Sequence, residues 1–144
     1  MDTFASIVAK YFDEIAHSHS MHRAEETAYH VRYENDRVSF GVSWNNGRSY
    51  ELGVGIRLKS ASHTDVLSFD LWDIVRSQGA PEANWVGRLA VDPGQDLEEP
   101  IRKLADLTKG YGHLFLQGEL SAFRSVATFT RRTSAIAILD ARDR

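Results

Sequence analysis

The chain has 144 residues, no cysteine, and 17 basic against 20 acidic side chains, which give a formal net charge of −3. This length suits a single domain over residues 1–144, able to bury about 70% of the surface that the unfolded chain exposes. The lack of cysteine excludes disulfides, thiolate metal ligands and a cysteine nucleophile. The basic residues form no stripe, so nucleic acid is not an expected partner.

The first residues do not resemble a signal peptide, because no basic region precedes an apolar run. No stretch of the sequence approaches the roughly 18 apolar residues of a membrane-spanning helix. We therefore expect a cytoplasmic protein that does not insert into membranes.

An amphipathic helix is predicted from Asp2 to about Ala16, with Asp2 or Thr3 accepting hydrogen bonds from its first turn. Its apolar residues recur at the three- and four-residue spacing of one helical face. They are Phe4, Ile7, Val8, Tyr11, Phe12 and Ile15.

Three runs of alternating apolar residues follow this helix, at Tyr29–Tyr33, Val38–Trp44 and Tyr50–Leu58. A period of two indicates strands with one buried face, and the short connections between the runs favour antiparallel pairing. The sequence therefore predicts a three-stranded antiparallel meander.

The two turns of the meander are chosen by parity, because directly opposed residues lie on the same face of a sheet. A two-residue turn at Asn35-Asp36 and a three-residue loop at Asn45-Asn46-Gly47 both keep apolar residues opposite each other. Gly47 would occupy the left-handed bulge position of the second loop. The predicted pairs are Tyr33 with Val38, Val31 with Phe40, Val42 with Tyr50, Phe40 with Leu52 and Val38 with Val54.

A second helix is predicted from Asp65 to Ser77, capped by Thr64 and ended by Gly79. Residues 79–95 form a connection, with a short extended piece around Trp85–Val91.

A third helix is predicted to start at Asp96, whose spacing to Glu99 suits a capping box, and to end at Gly110 or Gly112. Its apolar stripe consists of Leu97, Ile101, Leu104 and Ala105.

A short apolar crossing at His113–Leu116 leads into a last helix that starts near Glu119 and fits a helical stripe to the end of the chain. The β-branched residues from Thr128 to Ile138 leave an alternative open. Residues 133–140 would then contain a break or a strand at Ala135–Leu139.

Three histidines at positions 17, 19 and 22 raise the question of a metal site. In a helix His19 and His22 would be neighbours and His17 would not, whereas in a strand His17 and His19 would share a face without His22. No regular conformation gathers all three imidazoles, and no further ligand is evident. We expect a solvated helix end and no metal.

The opposite, polar face of the predicted meander carries the candidate binding residues. The predicted pairing places His30 opposite Gly41, and Gly41 opposite Glu51, with the outer backbones about 10 Å apart. Small residues clear a shallow floor among the charges, and glycine inside strands often marks the close approach of a ligand or another backbone. The candidate binding residues are His30, Arg32, Ser39, Glu51 and Arg57.

Three interpretations of this face remain open. It could be a solvated or helix-covered sheet surface, a surface for a partner or ligand, or a catalytic site that uses His30 and Glu51. No nucleophile and base pair is evident, so we expect no catalytic residue, no cofactor and no enzymatic activity.

Two segments resemble small bacterial proteins of the polymorphic-toxin immunity type. The runs Tyr33–Phe40 and Arg48–Val54 are similar to the pattern Y-x-N-x-x-V-x-F … R-S-Y-E-L-x-V in the hairpin of those proteins. Residues 104–123 are similar to their segment L-L-x-x-Y-G-x-x-L-L-x-G-D-x-x-x-F, from which Lys109-Gly110 and Glu119 depart.

The resemblance implies a non-enzymatic inhibitor that binds and blocks a protein toxin. Its motifs consist of hairpin and helix-cap residues, so no site residue is carried over from the family. The expected fold class is α+β: an N-terminal helix, a three-stranded antiparallel meander, then helices packed on one face of the sheet. A small-ligand-binding protein or enzyme using the polar face is the alternative.

Overall fold

The fold of the chain is α+β, with an N-terminal helix, an antiparallel sheet and several later helices. The computed structural model describes residues 2–59, 67–87 and 89–142, and describes side chains as far as residue 131. The helices are α1 (Phe4–Ser18), α2 (Leu71–Ser77), α3 (Ala83–Val86), α4 (Glu98–Tyr111), α5 (His113–Leu116) and α6 (Leu120–Arg142). The strands are β1 (His22–Glu26), β2 (His30–Glu34), β3 (Val38–Trp44), β4 (Leu52–Leu58) and β5 (Ser68–Asp70).

The sheet has five strands in the order β1-β2-β3-β4-β5, and every neighbouring pair is antiparallel. The three predicted strands correspond to β2, β3 and β4, so the prediction of a three-stranded meander is only partly right. The structure adds β1 at one edge and β5 at the other.

One face of the sheet packs against α1, α4 and α5. The alternation of apolar residues produces this packing, because every second residue of β2 and β4 is buried. Each fully buried aliphatic or aromatic side chain contributes about 1.5–3 kcal/mol to folding. Residues at the centre of this core include Phe12, Val31, Phe40, Ile56, Leu104 and Phe123.

The β2–β3 turn lies one residue later than predicted. The Asn35 backbone N–H donates to the Val38 carbonyl at 3.0 Å, and the Asn35 side-chain oxygen accepts from the Arg37 and Val38 backbone N–H groups at 2.8 and 2.9 Å. Tyr33 therefore pairs with Phe40 rather than with Val38. The partner of each β2 residue shifts by two positions, so each side chain stays on the face of the sheet that was predicted.

The β3–β4 connection is longer than the predicted three residues. Asn45 bonds across it, donating to the Glu51 carbonyl at 2.8 Å and accepting from the Tyr50 N–H at 2.8 Å. Gly47 has the expected left-handed conformation, with φ of +93°, and Tyr50 is also left-handed at +57°. Val42 consequently pairs with Val54, not with Tyr50.

The predicted helix at 65–77 starts later than expected. Residues 68–70 form β5, and the observed helix begins at Leu71 after the N-cap Asp70. The proposed cap Thr64 lies outside the described residues. Gly79 follows the helix with φ of +69°, which confirms the predicted end.

The predicted extended piece at 85–91 is wrong in its first part, because Ala83–Val86 is a helical turn. Among the described residues of this piece, only Ala90 makes a strand-like bridge, with Glu51.

The capping box does not form at the start of α4. The Asp96 carboxylate accepts from the Glu98 backbone N–H at 3.0 Å, while Glu99 forms an ion pair with Arg102. Gly112 caps the other end of α4, as one of the two predicted alternatives.

Helix α6 includes residues 133–140, so the strand alternative there is wrong. In the three described ranges, no helix combines the length and the apolar character that crossing a membrane requires.

Candidate functional site

The polar face of β2, β3 and β4 forms the floor of an open groove with a volume of about 620 Å³. Its lining includes all five candidate binding residues predicted from sequence: His30, Arg32, Ser39, Glu51 and Arg57. The faces were predicted correctly because parity decides which side chains share a face, whatever the length of the turn.

Glycines form the centre of the floor. Gly41 on β3 pairs directly with Gly55 on β4, and this row continues to Arg32 on β2 and to Asp70 on β5. Three strand spacings separate the backbones of Arg32 and Asp70, or about 14 Å. Gly41 and Gly55 carry no side chains of their own, and a partner could approach the backbone closely at Gly55.

The predicted arrangement of His30 and Glu51 around one glycine is wrong. Gly41 lies opposite Gly55 and not opposite Glu51, and His30 lies opposite Ser43. The longer β3–β4 connection moves Glu51 to the end of the groove, where it bridges to Ala90.

His30 nevertheless reaches Gly41 diagonally. A β-carbon added at Gly41 would lie 2.8 Å from the imidazole Cε1 atom. The imidazole therefore occupies the space that a side chain at position 41 would fill.

Strand β4 carries an acid at one end of the groove and a base at the other. Glu51 directly precedes β4, and Gly53, Gly55 and Arg57 follow it on the same face. Six residues of extended chain separate the two charged residues by about 20 Å. Both charged residues are exposed. Neither side chain has a hydrogen bond or ion pair with any other residue that the structure describes.

Arg32, in contrast, already has counterions. Its guanidinium donates to the Glu34 carboxylate at 2.7 Å and lies 3.7 Å from Glu25. Glu34 also accepts from Lys59 at 3.0 Å. The hydrogen bond from Lys59 is the main cause that holds the pKa of Glu34 below its ordinary value. The charge of Arg32 is thus largely compensated before any partner binds.

Asp70 lies opposite Gly55 and adds a second carboxylate to the groove, and its side chain has no hydrogen bond or ion pair with the other described residues. Its Oδ1 atom lies 4.0 Å from the position of a β-carbon added at Gly55. Partial burial raises the pKa of the Asp70 carboxyl group, and the negative charges of Asp73 and Glu51 raise it further. A cation bound here would relieve that repulsion.

The wall beside β5 comes from α2, α3 and the segment after them. Trp72 packs so closely on Gly87 that a β-carbon there would lie 2.5 Å from the indole Nε1. The Arg76 guanidinium lies 4.2 Å from the Trp72 ring centroid. Trp72 keeps 37% of its surface exposed beside the groove, so this aromatic side chain is available to a partner.

Sequence reasoning missed Asp70 and Trp72 as groove residues. Both lie in the segment from Asp65 to Ser77 that was predicted as one continuous helix. The short pattern Ser68-Phe69-Asp70, with one apolar residue between polar ones, is the only signal of β5 and is too brief to be decisive.

The three histidines near the end of α1 separate in the fold. His17 lies in the last turn of α1, His19 caps it and His22 begins β1. The His19 ring packs 5.7 Å from the ring of His113, and His22 lies 3.9 Å from Glu34. Among the described residues, no group of three or more potential metal ligands is arranged to hold an ion.

Comparison of the chain with protein-family models, curated protein sequences and solved structures finds no match.

Proposed function

We propose that the protein is a non-enzymatic binding protein of the immunity type, which blocks a protein toxin in the cytoplasm by docking it in the groove over β3 and β4. The observation that carries this proposal is the glycine floor with Glu51 and Arg57 at its ends, both without an ion pair to any residue that the structure describes. The resemblance of the β2–β4 segment to immunity proteins supports a protein toxin as the partner. The geometry of the groove supports the polar face of the sheet as the docking surface.

The glycines of the floor lower the stability of the fold, which favours a functional reason for keeping them. Gly41, Gly53 and Gly55 occupy strand interiors, where each glycine destabilises by roughly 0.5–1 kcal/mol relative to alanine. No atom of the described residues lies within 4 Å of a β-carbon added at Gly53, so their packing does not require glycine there. Access for a partner is a reason to keep position 53 small.

The chemistry of the groove favours binding over catalysis. Ser43 is the direct partner of His30 across β2 and β3, but the imidazole leans over Gly41. In the described part of the chain no hydrogen bond joins Ser43 to His30, so the base is not oriented on the hydroxyl. Glu51 and Asp70 lie at the other side of the groove and do not orient the imidazole either.

A small-ligand site is the second candidate. The volume of about 620 Å³ falls within the range typical of ligand pockets, roughly 300–1,000 Å³. On that interpretation, His30→Ala would remove ligand binding while any protein complex survives.

The test is native mass spectrometry of the tagged protein after gentle capture from its own cells. Wild type is compared with Gly53→Gln, which fills the groove, and with Gly94→Gln as a matched control. In the described part of the chain, no atom lies within 4 Å of a β-carbon added at either glycine, and Gly94 is not among the described residues that line the groove.

We expect a stoichiometric polypeptide with wild type and Gly94→Gln, and its loss with Gly53→Gln. Equal capture by all three proteins would exclude the groove as the docking surface. A small-molecule adduct without a polypeptide would favour the second candidate.

A further inference from the structure

We infer that the partner inserts an extended segment along β4, with a basic side chain against Glu51 and Asp70 and an acidic side chain about six residues away against Arg57. This inference rests on the proposed function and names the chemistry of the partner. It follows from the order of charges along β4, from the width of the groove and from its concave shape.

The charge order gives the segment its sequence requirement. Glu51 and Arg57 lie at opposite ends of one strand face, and both side chains lack a partner among the described residues. An extended chain advances at about the same rate as the strand beneath it, so charges six residues apart would match. Asp70 strengthens the acidic end, because its carboxylate lies close enough to Glu51 for the two charges to repel each other.

The floor between these charges suits an extended chain. Gly53 and Gly55 carry no side chains, so a peptide backbone could lie close to the sheet between the two ends. His30 and Arg32 border the floor on one side and Trp72 on the other. The backbones of Arg32 on β2 and Asp70 on β5 are three strand spacings apart, or roughly 14 Å, which admits one extended chain.

The shape argues against a second copy of this chain. Two copies related by a twofold axis would place Glu51 of each against Arg57 of the other, so their charges would match. The wall that carries Trp72 and Gly87, however, makes the face concave, and two concave faces leave an unfilled gap. A protruding segment fills such a groove.

The test uses capped seven-residue peptides, observed by amide NMR of the full chain. The first peptide has lysine at position one, glutamate at position seven, and alternating serine and threonine between them. A second has glutamine at both ends, and a third has glutamate at both ends. The protein variants are Glu51→Lys and Arg57→Glu, with Glu14→Lys and Arg124→Glu as controls at exposed residues outside the groove.

We expect the lysine–glutamate peptide to shift the Gly53 and Gly55 amides and to bind about fivefold more tightly than the glutamine peptide, as two exposed ion pairs allow. Glu51→Lys should weaken the binding of that peptide and strengthen the binding of the glutamate–glutamate peptide. Arg57→Glu should weaken the binding of both peptides, and the two control variants should leave both affinities unchanged.

Equal affinities for the charged and neutral peptides, or no shift of the groove amides at millimolar peptide, would overturn the inference. Sedimentation tests for a second copy in the groove. Self-association that is abolished by Glu51→Lys, and restored when Arg57→Glu is added, would assign the groove to a second copy instead. If a captured partner is lost with Gly53→Gln but is insensitive to both charge reversals, the proposed function stands and this inference fails.

Discussion

The imidazole of His30 fills the space that a side chain at Gly41 would occupy, diagonally across the β2–β3 pair, although the direct pairing partner of His30 is Ser43. The contact shows that the glycines of the floor have different roles. Gly41 gives space to a neighbouring side chain, whereas Gly53 borders open space.

This difference predicts opposite consequences for two alanine substitutions. Gly53→Ala should raise the free energy of unfolding by about 0.5 kcal/mol, because alanine restricts the unfolded chain and its β-carbon meets no atom of the described residues. Gly41→Ala should give less or none of this gain, because its β-carbon displaces the His30 ring. Chemical denaturation measures both changes, and the NMR signals of the His30 ring should move only with Gly41→Ala. Equal stabilisation by the two variants would contradict the assigned contact.

A part-buried hydrogen bond predicts a loss of stability at high pH. The Tyr33 hydroxyl donates to the Asp13 carboxylate at 2.6 Å, and Tyr33 is only 2% exposed. Burial raises the pKa of Tyr33 above its ordinary value, and the bond to Asp13 raises it further. The folded state therefore retains a proton that the unfolded state loses, so this contribution is complete below pH 10 or so and is lost as the pH rises further.

Urea unfolding at pH 8 and pH 11 tests this prediction. Tyr33→Phe should lower the free energy of unfolding at pH 8 by about 2 kcal/mol, the range for a hydrogen bond to a charged group. Between pH 8 and pH 11, Tyr33→Phe should also lose less free energy of unfolding than wild type. Tyr29→Phe, at a tyrosine with 46% exposure, controls for removal of a hydroxyl group. An undiminished alkaline loss in Tyr33→Phe would show that other groups cause it.

The pair His19 and His113 predicts a loss of stability at mildly acidic pH. Burial lowers the pKa of His19 below its ordinary value of 6.5, and the charge of His113 lowers it further. The unfolded state then binds a proton more readily than the folded state. The contribution of His19 to the free energy of unfolding is therefore complete above about pH 6.5 and is lost as the pH falls below this value.

A pH titration of the His19 ring by NMR measures this effect. In His113→Gln the His19 pKa should rise but stay below 6.5, because burial remains the larger cause. A wild-type His19 titration at or above 6.5 would contradict the burial of this ring.

The faces of β2, β3 and β4 could be predicted from sequence, but their registers could not. Shifting a strand by two or four residues keeps apolar residues opposite apolar residues, so hydrophobic pattern alone does not choose between such registers. The choice depends on the turns, where Asn35 accepts two backbone hydrogen bonds and Tyr50 adopts a left-handed conformation. A left-handed tyrosine leaves no signal in the sequence.

The edge strands could not be predicted because their patterns are weak. All five residues of β1 are exposed, so this strand shows no alternation of apolar and polar residues. Strand β5 has three residues and runs directly into α2, and the apolar residues of α2 suggested a longer helix. The five candidate residues from sequence do line one groove, but Asp70 and Trp72 were missed with β5 and α2.

The measurement that tests the central claim most directly is hydrogen–deuterium exchange of the captured complex against the free protein. If the polar face is the docking surface, protection should increase in the edge and floor of the groove, at residues 51–57 and 70–72. Protection confined to the outer faces of α4 and α6, with the groove unchanged, would contradict the assignment.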